Sequence, residues 1–329
     1  MMRAAFIERL GPPENIRYGE MSTPRPGPTD VLVDVSATAV NHVDTFVRSG
    51  AWRTPIDFPF VIGRDLAGTV AEVGSGVRDF RAGDRVWCNS LGYAGRQGAA
   101  AQRAVVPVDR LYHLPDGVSP ADVVAVAHPG ATAYLALVTH GRIRAADTVV
   151  VAGAAGNVGS ALVVLAAGAG ARVVATAAVR DVDYCRSLGA SEVIDYADPE
   201  ATERIRAASP GGVDIYIDTS GENDLSRSVD LLAIRGRIVV LAGMRTRPVL
   251  PVGPLYLKDR SVVGFAISQA TTTELAEAAR TINRLLATGG LRARNTEMLP
   301  LSAAASAHRR VEAGGASGTK LVLRPDLDS

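Results

Sequence analysis

Residues 149–159 run Val149-Val-Val-Ala-Gly153-Ala-Ala-Gly156-Asn157-Val158-Gly159. An apolar stretch stops at a glycine-rich turn, and a helix-like stretch from Ala161 to Ala167 follows it. That order of strand, turn and helix constrains the fold more than any other feature of the chain. It opens a dinucleotide-binding βαβ unit: glycines let the backbone approach a pyrophosphate, and free N–H groups at the helix start face its charge. A strong strand before the turn and a helix after it separate such a fingerprint from an incidental glycine turn. Within it, Ala155, Gly156, Asn157, Val158 and Gly159 are the expected phosphate-binding positions.

The next strand bears on which dinucleotide is bound. Ala171-Arg-Val-Val-Ala-Thr176-Ala177-Ala178 carries no Asp or Glu at its end. NAD sites place a carboxylate there to grip the ribose 2′-hydroxyl, and that carboxylate would repel a 2′-phosphate. Arg180 lies just beyond the strand, and Tyr196 ends Val193-Ile-Asp-Tyr196. A guanidinium and a phenol suit a 2′-phosphate. The reading is therefore NADPH, with Thr176, Arg180 and Tyr196 at that end of the site. Asp181 dissents, since it would serve a ribose hydroxyl, and so permit NADH, if its loop turned the other way.

The 329 residues suffice for two domains. A net charge of +1 supplies no basic field for nucleic acid. Two distant cysteines, Cys88 and Cys185, suggest neither a disulfide framework nor a cysteine zinc site and fit a reducing cytoplasm. The N-terminus reaches charge too early for a signal peptide, and stretches such as 161–169 are too short to span a bilayer.

Residues 1–122 hold short alternating runs, among them Val31-Leu-Val-Asp-Val-Ser and Gly68-Thr-Val-Ala-Glu-Val, that read as antiparallel strands. Residues 123–266 alternate helix with six strand-like runs, at 149–152, 172–176, 192–195, 215–218, 238–241 and 262–265, which predicts a doubly wound parallel sheet. Residues 267–329 return to a helix, 272–288, and a last strand at Lys320-Leu-Val-Leu. That strand is expected to rejoin the first domain. The nucleotide domain would then be inserted in a mainly-β domain made of 1–122 and 267–329, with the active site in the cleft between them. The run at 261–265 would be an apolar edge in a monomer, so a homodimer through that edge is expected.

Several further motifs carry a resemblance over nearly the full length. They are Val40-Asn41-His-Val-Asp44-Thr-Phe46-Val-Arg48-Ser-Gly50, Gly63-Arg64-Asp65-Leu-Ala-Gly68, Gly83-Asp84-Arg85-Val86, Thr132-Ala-Tyr134, the 153–159 turn and Ser317-Gly-Thr-Lys320. With these the chain resembles the zinc-independent, zeta-crystallin-like quinone oxidoreductases of the medium-chain dehydrogenase/reductase superfamily. The resemblance implies an α/β architecture: a GroES-like, mainly-β catalytic domain with an inserted Rossmann domain. It also implies NADPH-dependent reduction of a small quinone or conjugated enone.

In the zinc alcohol dehydrogenases of that superfamily a Cys, a His-Glu pair and a second Cys hold the metal. Here Asn41 stands for the first Cys, Arg64-Asp65 for His-Glu, and His128 near the second Cys. These do not make a three-ligand zinc site, so no metal is expected. By similarity, Leu241-Ala242-Gly243 and Phe265-Ala266-Ile267 hold the nicotinamide, and Thr132 and Ser220 contact its ribose. Close relatives carry two tyrosines beside the nicotinamide. This chain has Phe46 and Trp52 there, which leaves an aromatic pocket without a phenol donor. Asn41 is then the best side-chain donor for a substrate carbonyl or the ribose, and His128 is a candidate proton source. Two other functions fit the same features: an enoyl-thioester reductase, and an NADPH-binding sensor or interaction protein with little turnover.

Overall fold

The computed structural model describes residues 1–316 and 318–328; Ser317 of the Ser317-Gly-Thr-Lys320 motif and Ser329 lie outside the described residues. The chain forms two compact units, one of Met1–His128 with Leu275–Ser329 and the other of Pro129–Glu274. The sequence boundaries, after 122 and after 266, fall a few residues before these junctions. The architecture is the expected α/β one, with a mainly antiparallel unit carrying an inserted parallel one.

The first unit is built on a sheet whose central strand, Asp30–Ala39, pairs antiparallel with Asp65–Val73, with Arg103–Pro107 and with the C-terminal strand Thr319–Arg324. Alternation along these strands buries Val31, Val33, Val35, Leu66, Val70 and Val106 on one face, where they form a core with Val86, Leu91 and Leu111. The return of the last strand is as expected, with Val322 opposite Ala39 and Leu323 opposite Thr38. Continuing that antiparallel register brings Lys320 beside Asn41, and Asp65 sits opposite Ala39 on the other neighbour. Three strands distant in sequence therefore deliver three polar residues to one corner.

The second unit holds a six-stranded parallel sheet. In spatial order its strands are Glu192–Asp195, Arg172–Ala177, Thr148–Ala152, Val213–Asp218, Leu232–Val240 and Ser261–Gly264. All six expected strands are present, and the order reverses at Thr148–Ala152, the switch point where such sheets bind ligands. Val149, Val150 and Val151 are fully buried, as strands covered on both faces require, and each contributes about 1.5–3 kcal/mol. Ser261–Gly264 and Glu192–Asp195 are the two edge strands.

The helix Pro120–Tyr134 continues into a π-helical turn, Leu135–His140. Together they are long and apolar enough to cross a membrane, and 83% of the apolar window is buried inside the protein. The sequence reading weighed the glycine-broken 161–169 stretch and passed over this longer one. A helix apolar on all sides is what a protein core produces.

Candidate active site

The corner of the first unit gathers polar side chains that are almost entirely removed from water: Asn41, Asp44, Arg64, Asp65, His128 and Lys320. Asn41 caps the helix His42–Ser49, and its N–H donates to the Asp44 carboxylate at 2.8 Å. Its side-chain amide donates to Asp65 Oδ2 at 2.9 Å, while its carbonyl accepts from the Lys320 ammonium. His128, on the helix Pro120–Tyr134, brings Nδ1 to 3.9 Å from Asp65 Oδ1. Asp44 feels the Arg64 charge, whereas Arg48 pairs with Glu312 and donates to the Gly11 carbonyl.

Burial dominates the electrostatics here. It pushes Asp44 up to about 6 against the pull of the Asn41 N–H, Arg64 and Lys320. It pushes Asp65 up to about 7, chiefly opposed by Lys320. Lys320 is pushed down by burial and held up by the two carboxylates. Burial and the nearby Arg64 and Lys320 charges hold His128 well below the usual imidazole range, so it is neutral at neutral pH. A neutral imidazole serves as a hydrogen-bonding group, not as a reservoir of imidazolium protons.

Of the positions that hold zinc in metal-dependent relatives, Asn41 offers an amide bonded to the Lys320 ammonium and Arg64 a guanidinium, which leaves only the Asp65 carboxylate and the His128 imidazole as ligand types. This set does not fit a catalytic zinc, which needs three Cys, His or carboxylate ligands and an open position. Among the described residues no group of three or more His, Cys, Asp or Glu side chains is arranged to hold a metal ion. Both cysteines are buried and neither forms a disulfide.

Phe46 and Trp52 are both half-buried. The Trp52 ring meets Tyr93 edge-on, with centroids 6.0 Å apart. The Arg64 guanidinium lies over the opposite partner in this row, its Cζ 5.5 Å from the Tyr93 centroid. Sequence reasoning missed Tyr93 and Lys320 as site residues. Lys320 was signalled by a lone lysine in an apolar strand, and Tyr93 by nothing local.

In the second unit, Gly153 adopts φ +77°, and a Cβ there would lie 2.6 Å from Thr219 Oγ1. A Cβ at Gly159 would lie 2.2 Å from the Gly153 carbonyl, so only glycine lets the helix Asn157–Gly168 start against the turn. Gly156 is its N-cap, which leaves the first N–H groups of that helix without intrahelical partners. Thr176 is buried at the end of the neighbouring strand. Arg180 follows in a short 3₁₀ turn with 80% of its side chain exposed, and Tyr196 is 62% exposed directly after its strand. The Tyr196 N–H donates to the Ala177 carbonyl at 3.3 Å, so the two strand ends adjoin. Asp181 is buried beside them.

The loops after the fourth and fifth strands in chain order are tied together by Asn223, which the sequence reading did not single out. Its amide donates to the Ala242 carbonyl at 2.9 Å and the Gly221 carbonyl at 3.2 Å. Asp218 accepts from the Ser220 N–H and hydroxyl and from the Asn223 N–H, so Ser220 is held by a carboxylate. Gly243 has φ +84°, and a Cβ there would lie 2.3 Å from the Asn223 amide. Phe265 stacks on His140 at 4.5 Å; Ala266 follows, and Ile267 is buried in a 3₁₀ turn. Thr132 is buried on its helix.

A parallel sheet with a glycine turn at its switch point, inserted in a mainly-β unit, defines a two-domain nucleotide-dependent dehydrogenase. The pattern of the family described as "Alcohol dehydrogenase GroES-like domain" matches residues 27–116, and that of "Zinc-binding dehydrogenase" matches residues 157–284. The chain is 30% identical over 330 residues to the quinone oxidoreductase of Mus musculus, covering 98% of each. It is 31% identical over 336 residues to a 2-haloacrylate reductase of a Burkholderia species, covering 94% of this chain and 95% of that protein. Its structure resembles that of Escherichia coli quinone oxidoreductase complexed with NADPH, with TM-score 0.86 and 26% identity over 98% of this chain and 100% of that one. The chain belongs to the medium-chain dehydrogenase/reductase superfamily.

Proposed function

We propose that this protein is an NADPH-dependent reductase of quinones, and of alkenes conjugated to a carbonyl, that works without a metal. The observation that carries the reading is the occupant of the metal position: Asn41 is hydrogen-bonded to Asp65 on one side and to Lys320 on the other. Relatives named quinone oxidoreductase and 2-haloacrylate reductase support the acceptor class, and the NADPH complex of a structural relative supports the cofactor. Two buried cysteines that form no disulfide suit a cytoplasmic setting.

NADPH bound to the second unit would supply a hydride. The turn Ala155–Gly159 would cradle the pyrophosphate, and Thr176, Arg180 and Tyr196 the adenosine end with its 2′-phosphate. Thr132 and Ser220 would contact the nicotinamide ribose. Backbone groups of Leu241, Ala242 and Gly243, and of Phe265, Ala266 and Ile267, would hold the carboxamide and fix which ring face is offered. Phe46 and Trp52 form an aromatic surface for a flat acceptor. The Asn41 amide and the neutral imidazole of His128 would be the polar groups offered to it. Removing solvent and aligning the acceptor are the protein's main contributions, since no metal polarises the oxygen.

The test is the loss of NADPH and, separately, NADH absorbance with benzoquinones, a naphthoquinone, an enone, an enoyl thioester and an aldehyde. Fast NADPH-selective turnover of quinones or the enone is expected, with the aldehyde inert. NADPH binding without turnover of any acceptor would replace this reading with that of a sensor or interaction protein. We further infer a homodimer paired through the edge strand Ser261–Gly264. Light scattering at micromolar protein is expected to give twice the 34.3 kDa chain mass, and a monomer mass refutes it.

A further inference from the structure

Positions 46 and 52 carry no phenol, and a tyrosine of another segment, Tyr93, packs against Trp52. Tyr93 lies edge-on to Trp52, half-buried, with the Arg64 guanidinium over its ring. The loop that carries it is built for this presentation. Arg96 N–H donates to the Tyr93 carbonyl at 3.2 Å, closing a turn whose two central residues, Ala94 and Gly95, have φ +53° and +81°. Two positive φ values make it a primed turn, and Ala94, a non-glycine residue, is held at its first corner against its backbone preference.

Other hydrogen bonds keep the turn in place. Ala94 N–H donates to Thr54 Oγ1 at 2.8 Å, and Gly95 N–H to the Pro55 carbonyl at 3.1 Å. The Gln97 amide accepts from Val61 N–H at 2.7 Å and donates to the Pro59 carbonyl at 3.2 Å. The Tyr93 loop and the segment that carries Trp52 are therefore one fixed assembly. Behind it, Arg64 is 2% exposed, and its Nε and Nη1 have no hydrogen-bond partner among the described residues. A guanidinium so placed fixes the ring face by a cation–π contact and puts a permanent positive charge next to the phenol.

We propose that Tyr93 is the hydroxyl donor of the acceptor site and that Arg64 is its positioning residue. This rests on the reading of the protein as a reductase of conjugated carbonyls. Hydride from the reduced nicotinamide forms a C–H bond at the β-carbon of an enone. The C=C electron pair shifts toward the carbonyl, and the oxygen acquires negative charge. The Tyr93 hydroxyl hydrogen-bonds that oxygen and passes its proton to it, and the phenolate recovers a proton from water. The nicotinamide is oxidised by two electrons and the acceptor gains a hydride and a proton. A quinone, whose aromatic product disperses charge, depends less on the donor.

The test compares wild type, Tyr93→Phe, and Tyr93→Phe with Trp52→Tyr. Phenylalanine keeps the ring against Trp52 and Arg64, so a merely structural role predicts wild-type behaviour. The expected result is a fall in kcat of about 100-fold with an enone and about tenfold with a naphthoquinone, with KM for NADPH unchanged. The cofactor-free protein, titrated with naphthoquinone by tryptophan fluorescence, is expected to bind roughly 3- to 10-fold more weakly in Tyr93→Phe. Trp52→Tyr, which returns a phenol to the aromatic row, is expected to restore part of the enone rate. Unchanged kcat and unchanged naphthoquinone affinity in Tyr93→Phe overturn the assignment while leaving the reductase reading intact. A wild type that binds NADPH yet reduces nothing overturns that reading and the assignment with it.

Discussion

The two units prepare their sites by opposite means. The first collects side-chain charge out of solvent: Asp44, Arg64, Asp65 and Lys320 are each at most 3% exposed. The second shapes its ligand face from backbone, with glycines at 153, 156 and 159 and exposed side chains only at the rim, Arg180 and Tyr196. Buried charges must neutralise one another, so changing one alters stability as well as function. A backbone cradle with an exposed rim separates the two: rim residues can be removed with little effect on folding, because solvated charges contribute little to it. The first unit is thus a site whose chemistry is tied to its fold, and the second a site whose specificity is adjustable.

Lys320→Met tests the first half of that contrast and carries the largest expected effect. Its ammonium is bonded to Asn41 and opposes the burial cost of both carboxylates. Removing it leaves Arg64 to face both, and the loss in stability is expected to be about 3–5 kcal/mol. The pH dependence follows from the carboxyl shifts. Asp44 and Asp65 are raised from 3.8 to about 6 and about 7 in the folded protein. Their protonated forms therefore contribute stability that is complete below the unfolded value and lost as pH rises through the folded ones. Without Lys320 both carboxyls rise further, so the gap between wild type and variant widens with pH. Urea midpoints near about pH 5 and about pH 8 measure it. A gap equal at both values would mean that Lys320 acts through packing and not through charge.

The same contrast explains what the sequence disclosed. The cradle was legible because its determinants are local: glycines at 153, 156 and 159, flanked by Val149–Ala152 and a helix, fix their own geometry. The six parallel strands followed from the same local period. The corner of the first unit was legible only in part. Asn41, Asp65 and His128 stood out through the resemblance to metal-binding relatives, but Lys320 joins them through the register of a returning strand. Tyr93 joins Trp52 because the Ala94 and Gly95 N–H groups donate to Thr54 and Pro55 and so tie two loops together. No periodicity encodes either contact. Asn223 was hidden for the same reason, since its amide links loops that adjoin only in the folded sheet.

Arg180→Ala tests the other half of the contrast and has the smaller effect. Arg180 has 80% of its side chain exposed, and its nearest carboxylate, on Asp181, lies 3.9 Å away, so the folded state depends little on it. A guanidinium bonded to a 2′-phosphate is worth about 1.5–3 kcal/mol, which is roughly a 10- to 150-fold loss of NADPH affinity on removal. NADH lacks that phosphate and is expected to bind the variant within about twofold of wild type, with the melting temperature unchanged. Fluorescence titration with each cofactor measures both values. Equal losses for the two would remove Arg180 from the phosphate site and leave Tyr196 as its candidate. A fall in melting temperature like that of Lys320→Met would erase the distinction between the units, because it would make the rim as structural as the buried corner. Asp181 sharpens the outcome: it is buried beside Arg180, so the loss of NADPH selectivity is not expected to be accompanied by a gain in NADH affinity.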